Sequence, residues 1–156
     1  MRGMTLIVKT VVRIVTVFIV LYGIYIIFYG HLTPGGGFPG GVIVAGAFIL
    51  IMLAYGKEVA LKRFGYGSAS LLDNLGAFSF LAIALLGYAG GYFFLNFINH
   101  GHPFRLLSAG TMPLSNIAIG VKVLACLYAV FVALAIFGRA ADRAKEGGES
   151  KGGDEE

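Results

Sequence analysis

The sequence predicts an all-α integral membrane protein with four transmembrane helices and both termini on the cytoplasmic side. Three observations carry this. Of 156 residues, 58% are apolar and 13% charged, with a mean hydropathy of +0.85, too apolar for a soluble domain of this size. Residues 14–56 and 74–104 contain no Asp, Glu, Lys or Arg, whereas one span needs roughly 20 such residues. Finally, Lys and Arg cluster before the first apolar stretch, between the second and third, and after the fourth, as the positive-inside rule requires.

Taken in order, spans are expected near 10–29, 39–56, 75–97 and 114–138. Arg2, Lys9 and Arg13 precede the first. It resembles a signal peptide only superficially, being too long and followed by no A-x-A site. The second span is expected to open at Pro39 as its first helical residue. Lys57, Lys62 and Arg63 mark the next connection as cytoplasmic, and Asp73 borders the third span. The fourth is followed by Arg139, Arg143, Lys145 and Lys151 in a charged tail over 139–156, whose Gly-rich end cannot bury enough surface to order itself. The formal net charge of +4 is this topological signal. It lacks the clustered basic surface of a nucleic-acid binder, so none is expected.

Between the first two spans lies "HLTPGGGFPGG", residues 31–41. A Walker loop would need Lys and Ser or Thr after its last glycine, and a dinucleotide fingerprint would need a preceding strand; neither is present. Pro34 and Pro39 fix φ in two places and restrict Thr33 and Phe38 before them, which suits a shaped elbow better than a flexible linker. Gly37, Gly41 and Ala45 fall four apart, as do Gly36 and Gly40, a small-residue pattern that allows close helix packing. Gly87 and Gly91 repeat the spacing in the expected third span. An ordinary glycine-rich turn is the plain alternative.

Chemistry has few candidates. All eight acidic residues fall outside the expected apolar cores: Glu58 and Asp73 flank the cytoplasmic connection and the rest lie in the tail. Lys122 alone sits at depth, about 13 Å into the fourth helix. Such a Lys costs about 2.5 to 3.5 kcal/mol on insertion scales, which the surrounding Ile, Val, Leu and Phe offset. Two readings stand open: snorkelling toward the headgroups, or a role in a polar pathway or inter-subunit ion pair. With no carboxylate expected nearby in its own chain, the second reading requires a partner protein. His31 with His100 and His102 could form a loop metal site, but H-x-H without a fourth ligand is a weak pattern, and hydrated outer-loop histidines are the preferred reading. Tyr22, Tyr25 and Tyr29 share a helix face and read as an interfacial belt or a packing stripe in preference to a redox role. Cys126 is alone, which excludes an intrachain disulfide. Ser108 and Thr111 have no base and acid beside them, so nucleophilic catalysis is unsupported.

The segment "GHLTPGGGFPGG" resembles G-H-x-x-P-G-G-G-F-x-G-G, the hallmark of the MnhB (MrpB) family of small subunits in Mrp-type multisubunit Na⁺/H⁺ antiporters. Gly30, His31, Pro34, Gly35, Gly36, Gly37, Phe38, Gly40 and Gly41 all match. In the fourth span, "NIAIGVKV", with Asn116, Gly120 and Lys122, departs from the acidic-x-Gly-Val-Tyr pattern of many stand-alone members. It is similar instead to versions embedded in membrane-bound hydrogenases and sulfur-reducing complexes. The resemblance implies a small, non-catalytic subunit in the cell membrane of a prokaryote, alongside larger Mrp-type subunits that carry the main proton channels. Na⁺ and H⁺ would be the translocated ions and lipid the surroundings. No cofactor or metal is expected in this chain; NiFe and iron–sulfur centres would belong to partner subunits. Lys122, His31 and Asn116 are the candidate ion-pathway residues. The glycines and Phe38 of the hallmark, with Gly87, Gly91 and Gly120, are candidates for helix packing.

Two rivals remain. A self-sufficient homo-oligomeric channel would need polar pore-lining groups, and the spans offer mainly Lys122, Asn96, Ser79 and Thr16. A membrane enzyme would need a convergent acid, base, nucleophile or metal set, which the spacing does not supply.

Overall fold

A computed structural model describes residues 4–56, 65–98 and 109–152, helical with no strand among them. The elements are α1 (Leu6–Tyr29), α2 (Gly37–Tyr55), α3 (Tyr66–Leu86), a 3₁₀ turn at Gly87–Gly90, and α4 (Met112–Gly152). Four stretches, Leu6–Tyr29, Gly37–Tyr55, Gly67–Gly90 and Met112–Gly138, are long and apolar enough to cross a membrane, as the hydropathy predicts.

The boundaries differ from expectation for identifiable reasons. α2 starts at Gly37 rather than Pro39, with Gly36 as its N-cap and the Gly40 N–H donating to the Gly36 carbonyl at 3.2 Å. Pro39 then falls in the first turn, where its missing N–H has no intrahelical partner to lose, and Phe38 is helical despite preceding it. α3 begins at Tyr66, well before residue 75, so Asp73 lies inside the span and not at its border. It ends at Leu86 instead of near 97, because Gly91 at φ +104° and Phe94 at φ +61° turn the chain back until the Phe94 N–H reaches the Ala84 carbonyl at 3.3 Å. Gly87 and Gly91 therefore share no helical packing stripe. A Cβ on Gly87 would stand 2.6 Å from the Leu95 nitrogen, while one on Gly91 would meet nothing within 4 Å.

α4 runs through Gly152, beyond the expected end at 138 and into the tail. Ala140, Ala141, Arg143, Ala144 and Lys145 are strong helix formers, and extending an existing helix needs no new nucleus.

The principal packing runs in the order α1, α2, α4, α3, with α1 also touching α4 lightly. α3 is thus an edge helix leaning on α4. α1 and α2 are tied at one end, where the Met4 N–H donates to the Ala54 carbonyl at 3.0 Å and the Tyr55 hydroxyl to the Lys9 carbonyl at 3.2 Å. Near that end Met52, Ala69, Tyr128 and Val132 form a buried cluster with Phe48, Ala129 and Phe131 against it, the Phe48 and Tyr128 rings meeting edge to face at 6.2 Å. Leu6, Ile7, Val11, Ile14, Val17, Phe18 and Leu21 of α1 are exposed, a face suited to hydrocarbon.

Candidate functional site

Two polar places stand out among the described residues. The first is a cavity of about 370 Å³ at the end of the molecule where α1 finishes and α4 begins, lined by Gly30, His31, Phe94, Asn96, Ala109, Thr111, Met112, Ser115 and Asn116. The glycine segment shapes one wall. Gly30 packs directly on Gly36, where a Cβ would collide with the Gly36 backbone. Gly36 itself adopts φ +129°, a conformation for which glycine has no side-chain penalty, and the nearest atom to its missing Cβ is Asn116 Oδ1 at 3.6 Å. The elbow thus presents bare backbone to the Asn116 side chain.

Asn96 holds the opposite wall. Its Oδ1 accepts from the Thr111 N–H at 3.1 Å and from the Ile98 N–H at 3.3 Å, tying the chain after α3 to the residues that open α4. Thr111 is buried, and its carbonyl accepts from the Ser115 N–H at 3.1 Å. Two of the sequence-expected pathway residues, His31 and Asn116, therefore line one cavity. Its other polar groups are neutral amides and hydroxyls, which can accept from or donate to a hydrated ion but carry no charge to trap one.

The second place is an ion pair. Lys122 Nζ donates to Asp73 Oδ1 at 2.8 Å, which overturns the expectation that Lys122 lacks a carboxylate in its own chain and that no acidic residue lies within a span. The approach depends on α3 and α4 lying nearly in backbone contact: a Cβ on Gly76 would stand 2.9 Å from the Lys122 nitrogen and 3.0 Å from the Ala118 carbonyl oxygen. The pair is not enclosed, since the Lys122 and Asp73 side chains retain 46% and 34% of their accessible surface. The ammonium is held on Asp73, a partner that the snorkelling reading does not include.

Lys122 is not part of the cavity. From Asn116 it is displaced by about 9 Å along α4 and about 120° around it, with Ile119, Gly120 and Val121 between. Gly120 serves packing: its missing Cβ would lie 2.8 Å from Ile27 Cδ1, and a Cβ on Gly41 would lie 2.7 Å from the Gly120 carbonyl. Gly37 and Gly41 face α4, whereas Gly40 faces Gly23 and Ile27 of α1, so the small residues of α2 serve two neighbours. Gly35 sits over Ile26, which a Cβ would approach to 3.1 Å.

Other candidates contribute less. No group of three His, Cys, Asp or Glu is placed for a metal among the described residues, and His100, His102 and Ser108 lie outside them. Tyr25 and Tyr29 stack at 4.7 Å with Tyr22 exposed on the same helix. Cys126 is a free, exposed thiol. Asp73, Gly76 and the bridging role of Asn96 escape a sequence reading. Their one signal in the sequence is that Asp73 and Lys122 are the only charged residues in the apolar stretches Gly67–Gly90 and Met112–Gly138.

Comparison with known proteins agrees with this architecture. The family described as "Domain related to MnhB subunit of Na+/H+ antiporter" matches residues 7–129. An uncharacterized protein of Methanocaldococcus jannaschii is 39% identical over 79% of this chain and 49% of its own length. A protein of Staphylococcus aureus that carries the name antiporter subunit mnhB2 is 40% identical over 40% of this chain and 44% of its own. The chain thus spans about half the length of the curated relatives it matches. Among solved structures, a chain of the membrane-bound sulfane sulfur reductase, an archaeal respiratory membrane complex, superposes with a TM-score of 0.72 at 31% identity, over 83% of this chain and 60% of that one.

Proposed function

The chain belongs to the MnhB family of antiporter subunits, and from that premise we propose that it is a small non-catalytic membrane subunit of a Na⁺/H⁺ antiporter module within a larger energy-converting respiratory complex. It packs against other Mrp-type subunits in a prokaryotic cell membrane, with both termini cytoplasmic, and the residues through 138 form its membrane domain. Any NiFe or iron–sulfur centres belong to its partners. Similarity to a chain of a respiratory membrane complex favours this setting over a stand-alone antiporter.

The observation that carries the reading is the separation of the two polar places. The cavity with His31 and Asn116 and the Asp73–Lys122 pair lie on different faces of α4 with packed backbone between them. A transmembrane ion path needs polar groups in continuity, so each place supplies a fragment that neighbouring subunits complete. The chain scaffolds the module and contributes these fragments to a shared route.

Tagging the chain in its native host and purifying it in mild detergent tests the assembly: co-purifying antiporter subunits are expected, whereas a pure homo-oligomer that conducts ions would refute it. In membrane vesicles of the assembled complex, Lys122→Met is expected to weaken Na⁺-dependent proton movement. Unchanged coupling would confine the role to scaffolding.

A further inference from the structure

The Asp73–Lys122 pair is only partly satisfied. An ammonium has three donors and a carboxylate two acceptor oxygens, yet one bond joins them. The remaining N–H groups and Asp73 Oδ2 have no hydrogen-bond partner among the described residues. Both residues lie within stretches apolar enough to span a membrane, Gly67–Gly90 and Met112–Gly138. Lys122 is about 15 Å from the start of the latter and about 24 Å from its end. In hydrocarbon such groups are costly to leave unmade.

Further polar side chains stand around the pair. On α3, Ser70 and Asn74 are exposed and neighbour Asp73 or each other at three- and four-residue spacing. On α4, exposed Cys126 lies one turn from Lys122. The exposed residues of α1, by contrast, are mostly Leu, Ile, Val, Phe and Tyr. α3 is an edge helix held chiefly by α4, so nothing within the described chain covers this patch.

We infer that the α3–α4 edge around Asp73 and Lys122 is a docking surface for a transmembrane helix of a second, different subunit, which presents a side-chain oxygen acceptor to the Lys122 ammonium at mid-membrane depth. The single bond to Asp73 leaves two donors of the Lys122 ammonium open against one carboxylate oxygen, so the complementary group is an acceptor, a carboxylate or hydroxyl, and not a cation. The inference rests on membership of a multisubunit assembly and specifies which face and which charge make the contact.

The test places a photo-crosslinking amino acid at Asn74, with a control at Phe18 on the apolar face of α1, in the tagged chain of the intact complex. After irradiation, the Asn74 adduct is expected on one other membrane subunit, mapping within a turn of an Asp, Glu, Ser or Thr in a transmembrane helix. In addition, a membrane-permeant maleimide is expected to lose its labelling of Cys126 in the intact complex and recover it once strong detergent disperses the subunits. Adducts to lipid alone, or to a second copy of the chain, with the other subunits still co-purifying, would overturn the docking surface and leave the proposed function intact. Purification without other subunits would overturn both.

Discussion

Gly41 of α2 lies against Gly120 of α4 so closely that a Cβ on Gly41 would stand 2.7 Å from the Gly120 carbonyl oxygen and 2.9 Å from Val123 Cβ. Neither atom is the free end of a flexible side chain, so a methyl group there must push the helices apart. Gly41→Ala is expected to destabilise by about 1 to 3 kcal/mol, the usual range for overpacking. Gly46→Ala is the control on the same helix, since its Cβ would meet nothing within 4 Å, and replacing glycine in a helix interior gains roughly 0.5 to 1 kcal/mol. Thermal unfolding of the two variants in detergent should move in opposite directions.

Gly36 raises a different cost. Its φ of +129° with ψ of −169° is a region essentially confined to glycine, and the nearest atom to a new Cβ is 3.6 Å away. Gly36→Ala is therefore a strain experiment without crowding, expected to destabilise by about 1 to 3 kcal/mol. Because Gly36 also caps α2 and faces Asn116, reduced Na⁺-dependent activity of the assembled complex should accompany the lower melting temperature.

The glycine segment shows what a sequence alone can reveal. Hydropathy and Gly/Pro punctuation are local properties, so four spans and an elbow packed on close helix contacts are readable from residues 31–41 and their flanks. Asp73 and Lys122 are separated by 49 positions, and their meeting depends on the rotation of α3 against α4 at Gly76, which no local pattern states. Read locally, Asp73 looks like a polar border, which displaces the expected start of α3 toward 75. The far end of α3 is hidden because its continuing apolar residues mask a backbone turn that needs positive φ at Gly91 and Phe94. The joining of His31 to Asn116 is equally hidden, since it requires the elbow to fold over the start of α4.

Asn96 organises that start. Truncating it to Ala removes the acceptor for the N–H groups of Thr111 and Ile98, and Thr111 is buried, where an unmade hydrogen bond costs about 1 to 3 kcal/mol. Asn96→Ala is expected to lower the melting temperature and to speed backbone hydrogen exchange at Thr111 and Ile98. Asn96→Asp keeps an oxygen at the same position and should retain most of the protection at Thr111. Equal loss in both variants would mean that the amide NH₂, and not Oδ1, organises the junction.

The ion pair makes the sharpest prediction, because the two partners neutralise each other inside apolar stretches. Lys122→Met leaves Asp73 as a lone carboxylate, and Asp73→Asn leaves Lys122 as a lone ammonium. A lone charge at the centre of a span carries an insertion cost of about 2.5 to 3.5 kcal/mol, and one nearer the end, as at Asp73, a smaller cost of the same sign, so each single variant should lower the amount of chain recovered in the membrane-assembled complex. The double variant removes both charges at once and should be recovered better than either single one, since breaking a low-dielectric pair is worse than deleting it. Quantifying the tagged chain in purified complex across this cycle checks the coupling. Additive losses would show that the two side chains act independently and that their contact contributes nothing to assembly. Recovery of assembly in the double variant without recovery of Na⁺-dependent proton movement would separate the structural role of the pair from its role in transport.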